Sequence, residues 1–440
     1  MNSTITIRLN PQRKAEKPMR NILGINNSPR ITSQARKASD TAAFDALNFR
    51  YIRYHDAPIE NPGKQIIDIH AIFPLFHLDE NDPRNYRFAQ TDDYLRVIAD
   101  TGAEIDFRLG ETIDHSGNAR LIGVPEDIEK WARICRNIVA HYKNGEMDGM
   151  HLNIRHITVW EEPDNPNLLN GTLEQYAEMF CTVYRLLKKD FPDLEIGGPT
   201  MCSGSKEYLR NFLTICKREG IRPDYISFTI YERNIQCLLN NMATYRAIAE
   251  ELGFYDMRYH LAEWHLGPTA WDRTNQVEES GFDSAVSASY ASSALMQMMD
   301  VDYLRAAYFY AWATGIWSVF NFRTSNVSVY PVYYGLLFFQ KLAAECHERL
   351  AVDIENGNNV QVLAGRTTDG KTRLLISCYN QETCTLLVDV GGATSGTLHA
   401  VEMDYNEETC AKGSTVTAVN GKFTIAHKER YGVYLLELDG

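Results

Sequence analysis

Between residues 22 and 350, short β-branched or aromatic runs take turns with stretches of helical periodicity. That alternation constrains the chain more than any other feature, because it is the pattern of βα units building a parallel sheet. It predicts strands over 22–26, 51–55, 104–110, 156–163, 194–200, 225–231, 259–264 and 306–312, each followed by a helix-compatible stretch such as 125–143, 172–189 or 283–300. Eight such units close into an α/β (β/α)8 barrel. No early Gly-rich turn of the kind that opens a doubly wound sheet competes with that reading.

After Leu350 the texture changes to short alternating runs at 360–367, 372–380, 384–390, 397–404, 422–427 and 433–438, separated by Gly, Asn, Asp and Thr turns. Such a series predicts an antiparallel β-sandwich. The first residues also alternate (Thr4, Ile5, Thr6, Ile7, Arg8, Leu9) and read as a strand with no barrel role, so it is expected to join the sandwich. The expected organisation is therefore 1–15 with the sandwich, 16–350 as the barrel and 351–440 as the sandwich proper, two domains being ordinary for 440 residues.

Composition narrows the partners. Lys and Arg number 44 against 57 Asp and Glu, a formal charge of −13, and no basic cluster is interleaved with aromatics. An acidic surface repels phosphate, so nucleic acid and anionic membranes are poor partners, whereas neutral or cationic small molecules suit it. The N-terminus lacks the apolar core and cleavage site of a secretory signal. The most apolar stretch, 306–322, is broken by Thr314, Gly315, Ser318 and Asn321. It also falls short of a spanning length of roughly 18 residues. Nine cysteines with no C-x-x-C pair fit reduced thiols in a cytoplasm, and their scatter argues against structural zinc. Self-association is left open.

In a barrel of this kind the chemistry lies at the C-terminal ends of the strands. Those ends carry Arg53-Tyr54-His55-Asp56, Asp106-Phe107-Arg108 with Glu111, Trp160-Glu161-Glu162-Pro163, Tyr231-Glu232 and Glu263-Trp264-His265. Two carboxyls facing each other across one mouth are what glycosidic bond cleavage needs, one to protonate the leaving oxygen and one to attack or activate water. Glu162 and Glu263 fit, each beside a tryptophan (Trp160, Trp264) whose ring suits the C–H face of a sugar. By spacing alone, ordinary solvated carboxylates explain them equally well. Trp312 or Trp317, at the end of the eighth strand, offers a further stacking wall or simple core. His55-Asp56 and the pair His151 and His156 lack a third ligand at metal spacing, so no metal site is expected. Gly197-Gly198-Pro199 reads as a tight turn.

Trp160-Glu161-Glu162-Pro163 and the later Ala262-Glu263-Trp264 resemble the paired motifs of clan A glycoside hydrolases. Four further segments narrow the resemblance to glycoside hydrolase family 39, the β-xylosidases and α-L-iduronidases. They are Tyr51-Ile52-Arg53-Tyr54-His55, Lys130-Trp131, Ile196-Gly197-Gly198-Pro199 and Asp224-Tyr225-Ile226-Ser227. The resemblance implies a retaining hydrolase of glycosides or short oligosaccharides, without cofactor, in which Glu162 is the acid/base and Glu263 the nucleophile. It also implies a sugar pocket lined by His55 and Tyr231. With the strand-end residues, the expected binding set is Arg53, His55, Asp56, Trp160, Glu161, Tyr231, Trp264, His265, Trp312 and Trp317. Three pocket positions depart from the family pattern: Glu161 stands for the usual Asn, Thr229 for the usual His, and His265 for Asn or Ser. An ionised Glu161 only accepts hydrogen bonds, so it needs a sugar donor or a cation such as Arg53 or Arg108. Unpaired, it would push the Glu162 carboxyl up. A sugar-binding barrel without hydrolysis is the alternative. An aldolase or isomerase is disfavoured, since these strand ends supply neither lysine nor a metal cluster.

Overall fold

The computed structural model describes residues 3–27, 38–54, 66–112, 122–202, 205–269, 280–312, 317–321 and 328–439, with the backbone alone for 38–41. After β1 (Ser3–Lys14), eight strands form a closed barrel in chain order. They are β2 (Leu23–Asn26), β3 (Tyr51–Tyr54), β4 (Glu104–Leu109), β5 (Ile154–Val159), β6 (Glu195–Met201), β7 (Tyr225–Glu232), β8 (Arg258–Leu266) and β9 (Leu304–Phe309). Neighbours run parallel, and β9 returns to β2 with Leu23 opposite Ala307 and Ile25 opposite Phe309. Strands flanked by helices outside and packed side chains inside bury both faces, which is why they read as nearly continuous apolar runs.

Two barrel strands end three or more residues before the periodicity reading places their ends. β5 stops at Val159 because Trp160 and Glu162 adopt φ of 66° and 34°, which takes the backbone out of the extended region. β9 stops at Phe309, so Trp312 lies beyond it. His55 and Asp56 fall outside the described residues.

The outer helices carry their own start and stop signals. The helix Leu173–Asp190 begins with a capping box between Thr172 and Gln175, and the helix Ile128–Asn144 begins at an Asp127 cap and ends at Gly145, with φ of 73°. Among the described residues, no helix is long and apolar enough to cross a membrane. All nine cysteines are unpaired thiols.

Past a short ribbon of β10 (Phe320–Asn321) and β11 (Ser328–Val329), the chain builds β12 (Cys346–Glu355), β13 (Val360–Thr367), β14 (Thr372–Tyr379), β15 (Cys384–Asp389), β16 (Ser395–Val401), β17 (Ser414–Thr417), β18 (Lys422–His427) and β19 (Tyr431–Leu438). These strands and β1 make one hydrogen-bonded sheet in the order β17-β16-β19-β14-β13-β12-β1-β15-β18. β1 lies antiparallel to β12 and parallel to β15, so the sheet is not antiparallel throughout. A strand arriving from the far end of the sequence has no hairpin to fix its direction. Phe423 and Ile425 of β18, at one end of the sheet order, and Leu436 and Leu438 of β19, third from the other end, share one apolar cluster with Ile5, Ile7 and Leu9, so the sheet curls around its own core. Its other face, through Leu363, Leu375, Val433 and Leu435, belongs to the core of the barrel.

The helix Ala285–Met298 makes that junction. Its sequence AVSASYASSALMQM is rich in small residues and is buried at every position but Gln297. Small side chains allow close approach, and the serines bond locally: Ser293 Oγ donates to Ser377 Oγ, which donates to the Ser289 carbonyl, both at 2.9 Å. The next helix, Pro331–Ala343, presses equally close, since a Cβ on Gly335 would lie 2.7 Å from the Ala288 carbonyl oxygen. Gly335→Val is therefore expected to destabilise the fold by about 1–3 kcal/mol. The check is a urea melt showing a lower midpoint at unchanged slope; a wild-type midpoint would show that these helices are free to separate.

Candidate active site

The site grows from Arg53 at the end of β3. Its side chain is fully buried. Nη1 donates to Asn26 Oδ1 at 3.2 Å and faces Glu263 Oε1 at 3.5 Å, while Nη2 donates to Glu161 Oε2. Burial alone would make the guanidinium easier to deprotonate, but Glu161, Glu263 and Asp106 hold it firmly charged. Asn26 is itself fixed, its Nδ2 donating to the carbonyls of Ala262 at 2.8 Å and Tyr308 at 3.2 Å. Deeper in the barrel, Asp106 accepts from Thr158 Oγ1 at 2.7 Å and faces His260 Nδ1 at 3.4 Å, with the His260 ring stacked on Tyr225 at 3.9 Å. Burial works to raise Asp106, yet His260 and Arg53 bring it down to about 2; burial lowers His260 to about 4, so at neutral pH this is an anion beside a neutral ring.

Glu263, near the end of β8, takes the Tyr231 phenol on Oε2 at 2.5 Å. Burial, and next the Glu263 charge, push the Tyr231 hydroxyl far up, so it remains a neutral donor. Trp317 packs on Tyr231 with centroids 5.0 Å apart and on His265 at 5.3 Å. His265 is buried among Phe282, Phe309 and Trp317 and lowered by that burial to about 4.

Glu162 has a different environment. Thr229 Oγ1 donates to its Oε1 at 2.7 Å; Asn165 Nδ2 at 3.0 Å and Cys202 Sγ at 2.9 Å donate to Oε2. Burial raises its pKa, the Glu263 charge raises it further, and the three donors only partly offset them. The like charge acting on Glu162 is thus Glu263 rather than Glu161, whose negative charge is balanced by Arg53.

The structure brings Arg53, Glu161, Glu162, Tyr231 and Glu263 together, with His265 and Trp317 beside them. Three expected stacking walls are absent from this group. Trp160 packs on Trp131 and donates its Nε1 to the Leu168 carbonyl at 2.8 Å, Trp264 packs on Phe309 and Tyr290, and Trp312 packs on Phe44 and Phe320; all three rings are buried. For Trp264 the cause is strand alternation: on β8, with Glu263 turned into the barrel, Trp264 faces the helices, whereas Trp160 and Trp312 lie past the ends of β5 and β9. Residues missed in the sequence are Asn26, Cys202 and Asn165. Asn26 ends a strand and Cys202 follows one, so the strand-end rule could have found both; Asn165, in a loop, carried no signal.

Among the described residues, Asp68, His70 and Glu111 offer metal-ligand atoms within 4.8 Å of one another. The Asp68 oxygens, however, already accept from Arg108 Nη2 at 2.8 Å, Thr112 N at 2.9 Å and Thr112 Oγ1 at 2.7 Å, so a cation would have to displace Arg108. Glu111 bonds to His70, and burial lifts its carboxyl to about 7.

The sequence model described as Glycosyl hydrolases family 39 matches residues 23–364. The chain belongs to that family. A beta-xylosidase from Geobacillus stearothermophilus is 24% identical over 288 residues, covering 58% of this chain and 52% of that protein. This family 39 chain spans about half the length of the curated relatives it matches. Among solved structures, a glucosidase from Croceicoccus marinus is similar with a TM-score of 0.78 at 21% identity, covering 100% of this chain and 99% of that one. A monomeric beta-xylosidase from Caulobacter crescentus CB15 gives 0.68 at 16% identity, covering 99% of each. At these identities the two structures show a shared architecture.

Removing one partner of a buried ion pair costs about 3–5 kcal/mol, because the other charge is left without compensation. Arg53→Met should lower stability by that amount at pH 7.5. Without the cation, burial favours the protonated form of Glu161 and Glu263, so the folded protein takes up protons more readily than the unfolded chain and the deficit should shrink as pH falls. Denaturant melts at pH 5 and 7.5 read this directly, and an equal deficit at both would place the loss in packing.

Proposed function

We propose that this family 39 chain hydrolyses glycosidic bonds with retention of configuration, Glu162 serving as acid/base and Glu263 as nucleophile. The observation that carries the reading is the contrast between the two carboxyls: Glu263 faces a buried guanidinium and a phenol, as an anion requires, whereas burial and a neighbouring negative charge favour Glu162 protonated. Two titratable groups pushed apart by their surroundings are how one site runs acid and base chemistry at one pH.

In the first step a Glu263 oxygen bonds to the anomeric carbon as the bond to the leaving oxygen breaks, and Glu162 gives that oxygen its proton. In the second, water attacks the same carbon, the ester to Glu263 breaks, and the water proton passes to Glu162. The positive charge that develops on the sugar is met by Glu263. No step needs a cofactor. A neutral β-xyloside-like glycoside is the substrate class this reading favours: the name of the curated relative supports it, and among the described residues Arg53 and Arg108 are both held by carboxylates, leaving neither for a uronate. Nine unpaired thiols fit a reducing compartment.

Glu263→Gln should abolish turnover of every substrate. Glu162→Ala should lose about 10²–10⁴-fold on poor leaving groups, the usual worth of proton transfer, while sparing activated aryl glycosides, and azide should restore its turnover. Equal losses on both substrate classes with no azide effect would overturn the assignment; a bound sugar left intact by the unmodified protein would identify a binder. Product anomer by proton NMR tests retention.

Because the Glu263 charge helps to raise Glu162, Glu263→Gln should lower the Glu162 pKa. Carbon-13 titration of labelled glutamate would show it. An unchanged midpoint would mean that the two groups do not communicate.

A further inference from the structure

The oxygens of Glu162 have unequal neighbours. Oε2 receives the Asn165 amide at 3.0 Å and the Cys202 thiol at 2.9 Å. Asn165 Oδ1 accepts from Asn167 N at 3.0 Å, which fixes the amide with its N–H groups toward Glu162. An N–H cannot accept, and the thiol is a weak acceptor, so a proton on Oε2 would meet poor partners. Oε1 instead meets Thr229 Oγ1 at 2.7 Å, and that hydroxyl lies 3.3 Å from a second acceptor, the Met201 carbonyl. One hydrogen thus has two places to go.

Resting on the acid/base assignment of Glu162, we infer that Thr229 is a positioning residue whose hydroxyl swings with the proton of Glu162. When Glu162 is protonated, the proton lies on Oε1, Thr229 accepts from it, and the Thr229 hydrogen turns to the Met201 carbonyl. When the leaving oxygen takes that proton, the Thr229 hydrogen turns back and donates to the new carboxylate. No bond is made or broken at Thr229; a donor arrives as negative charge appears on Glu162, which favours the transition state over the ground state. In the second step the movement reverses. A histidine here, the usual family residue, has each ring nitrogen committed as donor or acceptor by its tautomer, so this substitution gives the site a partner for both forms.

The charged and titratable groups around Glu162 are Glu263 and Tyr231 from β8 and β7, Cys202 after β6, and Glu161 and Asp164 in its own turn. None of these is altered by Thr229→Val, which exchanges the hydroxyl for a methyl of nearly the same volume. Loss of a hydrogen bond to a charged group predicts about a 10- to 100-fold fall in kcat on poor leaving groups, with KM little changed and activated aryl glycosides much less affected. Both forms lose a partner, but the bond to the charged carboxylate is the stronger, so the basic limb of the pH profile should move up. Thr229→Ser should restore both properties, and Thr229→Ala should repeat the Val result if the Val protein fails to fold. Wild-type leaving-group dependence and pH profile in Thr229→Val or Thr229→Ala, or failure of Ser to rescue, would overturn the inference. If Glu162→Ala itself shows neither leaving-group dependence nor azide rescue, the acid/base assignment has failed instead, and the two outcomes are distinct.

Discussion

A single buried guanidinium organises the mouth of this barrel. Arg53 stands between Glu161 and Glu263, is tied to Asn26, and has the anionic Asp106 beneath it. Without it, Glu161 after β5 and Glu263 on β8 would be buried without their guanidinium partner, which folding does not tolerate cheaply. Its position also makes the surroundings of the glutamates unequal. Glu161 is balanced and drops out of the field at Glu162, so the proton affinity of Glu162 is set by burial and by Glu263. Three acids around one cation leave an excess of negative charge where a positively charged transition state would form.

The scaffold transmits rigidity to that mouth. Tyr231, which holds Glu263, is followed by Arg233, whose carbonyl accepts from Tyr379 of the sheet domain at 2.9 Å and whose Nη1 donates to the carbonyls of Gly267 at 2.8 Å and Ser280 at 3.1 Å. The ends of β7 and β8 are therefore laced to each other and to the sheet. Beneath them, the small-residue helix Ala285–Met298 lets barrel and sheet share one continuous core. The three buried tryptophans serve the same purpose, filling the space between strands and helices so that the adjoining carboxyls keep their direction.

Alternating apolar runs and helical periods were enough to read the eight barrel strands, because a parallel sheet buried on both faces has no other composition to adopt. The strand-end rule then located Arg53, Glu161, Glu162, Tyr231 and Glu263. What sequence could not decide was which side of each strand a residue faces near its end. Trp160 and Trp264 look like sugar-stacking rings when read beside the glutamates, but the pleat of β8 turns Trp264 to the helices, and Trp160, past the end of β5 with a positive φ, packs on Trp131. Nor could it show that β1 runs parallel to β15, a pairing fixed by packing at long range.

The sequence by itself determined the βα order and the second sheet domain, and it marked Glu162 and Glu263 as candidates, since these follow from local periodicity and from residue types at strand ends. The tertiary structure alone decided their chemistry. Whether a glutamate is held as an anion or favoured as an acid depends on what lies within a few ångströms of it, and Arg53, Tyr231, Cys202, Asn165 and Thr229 reach those distances from elements far apart in the chain.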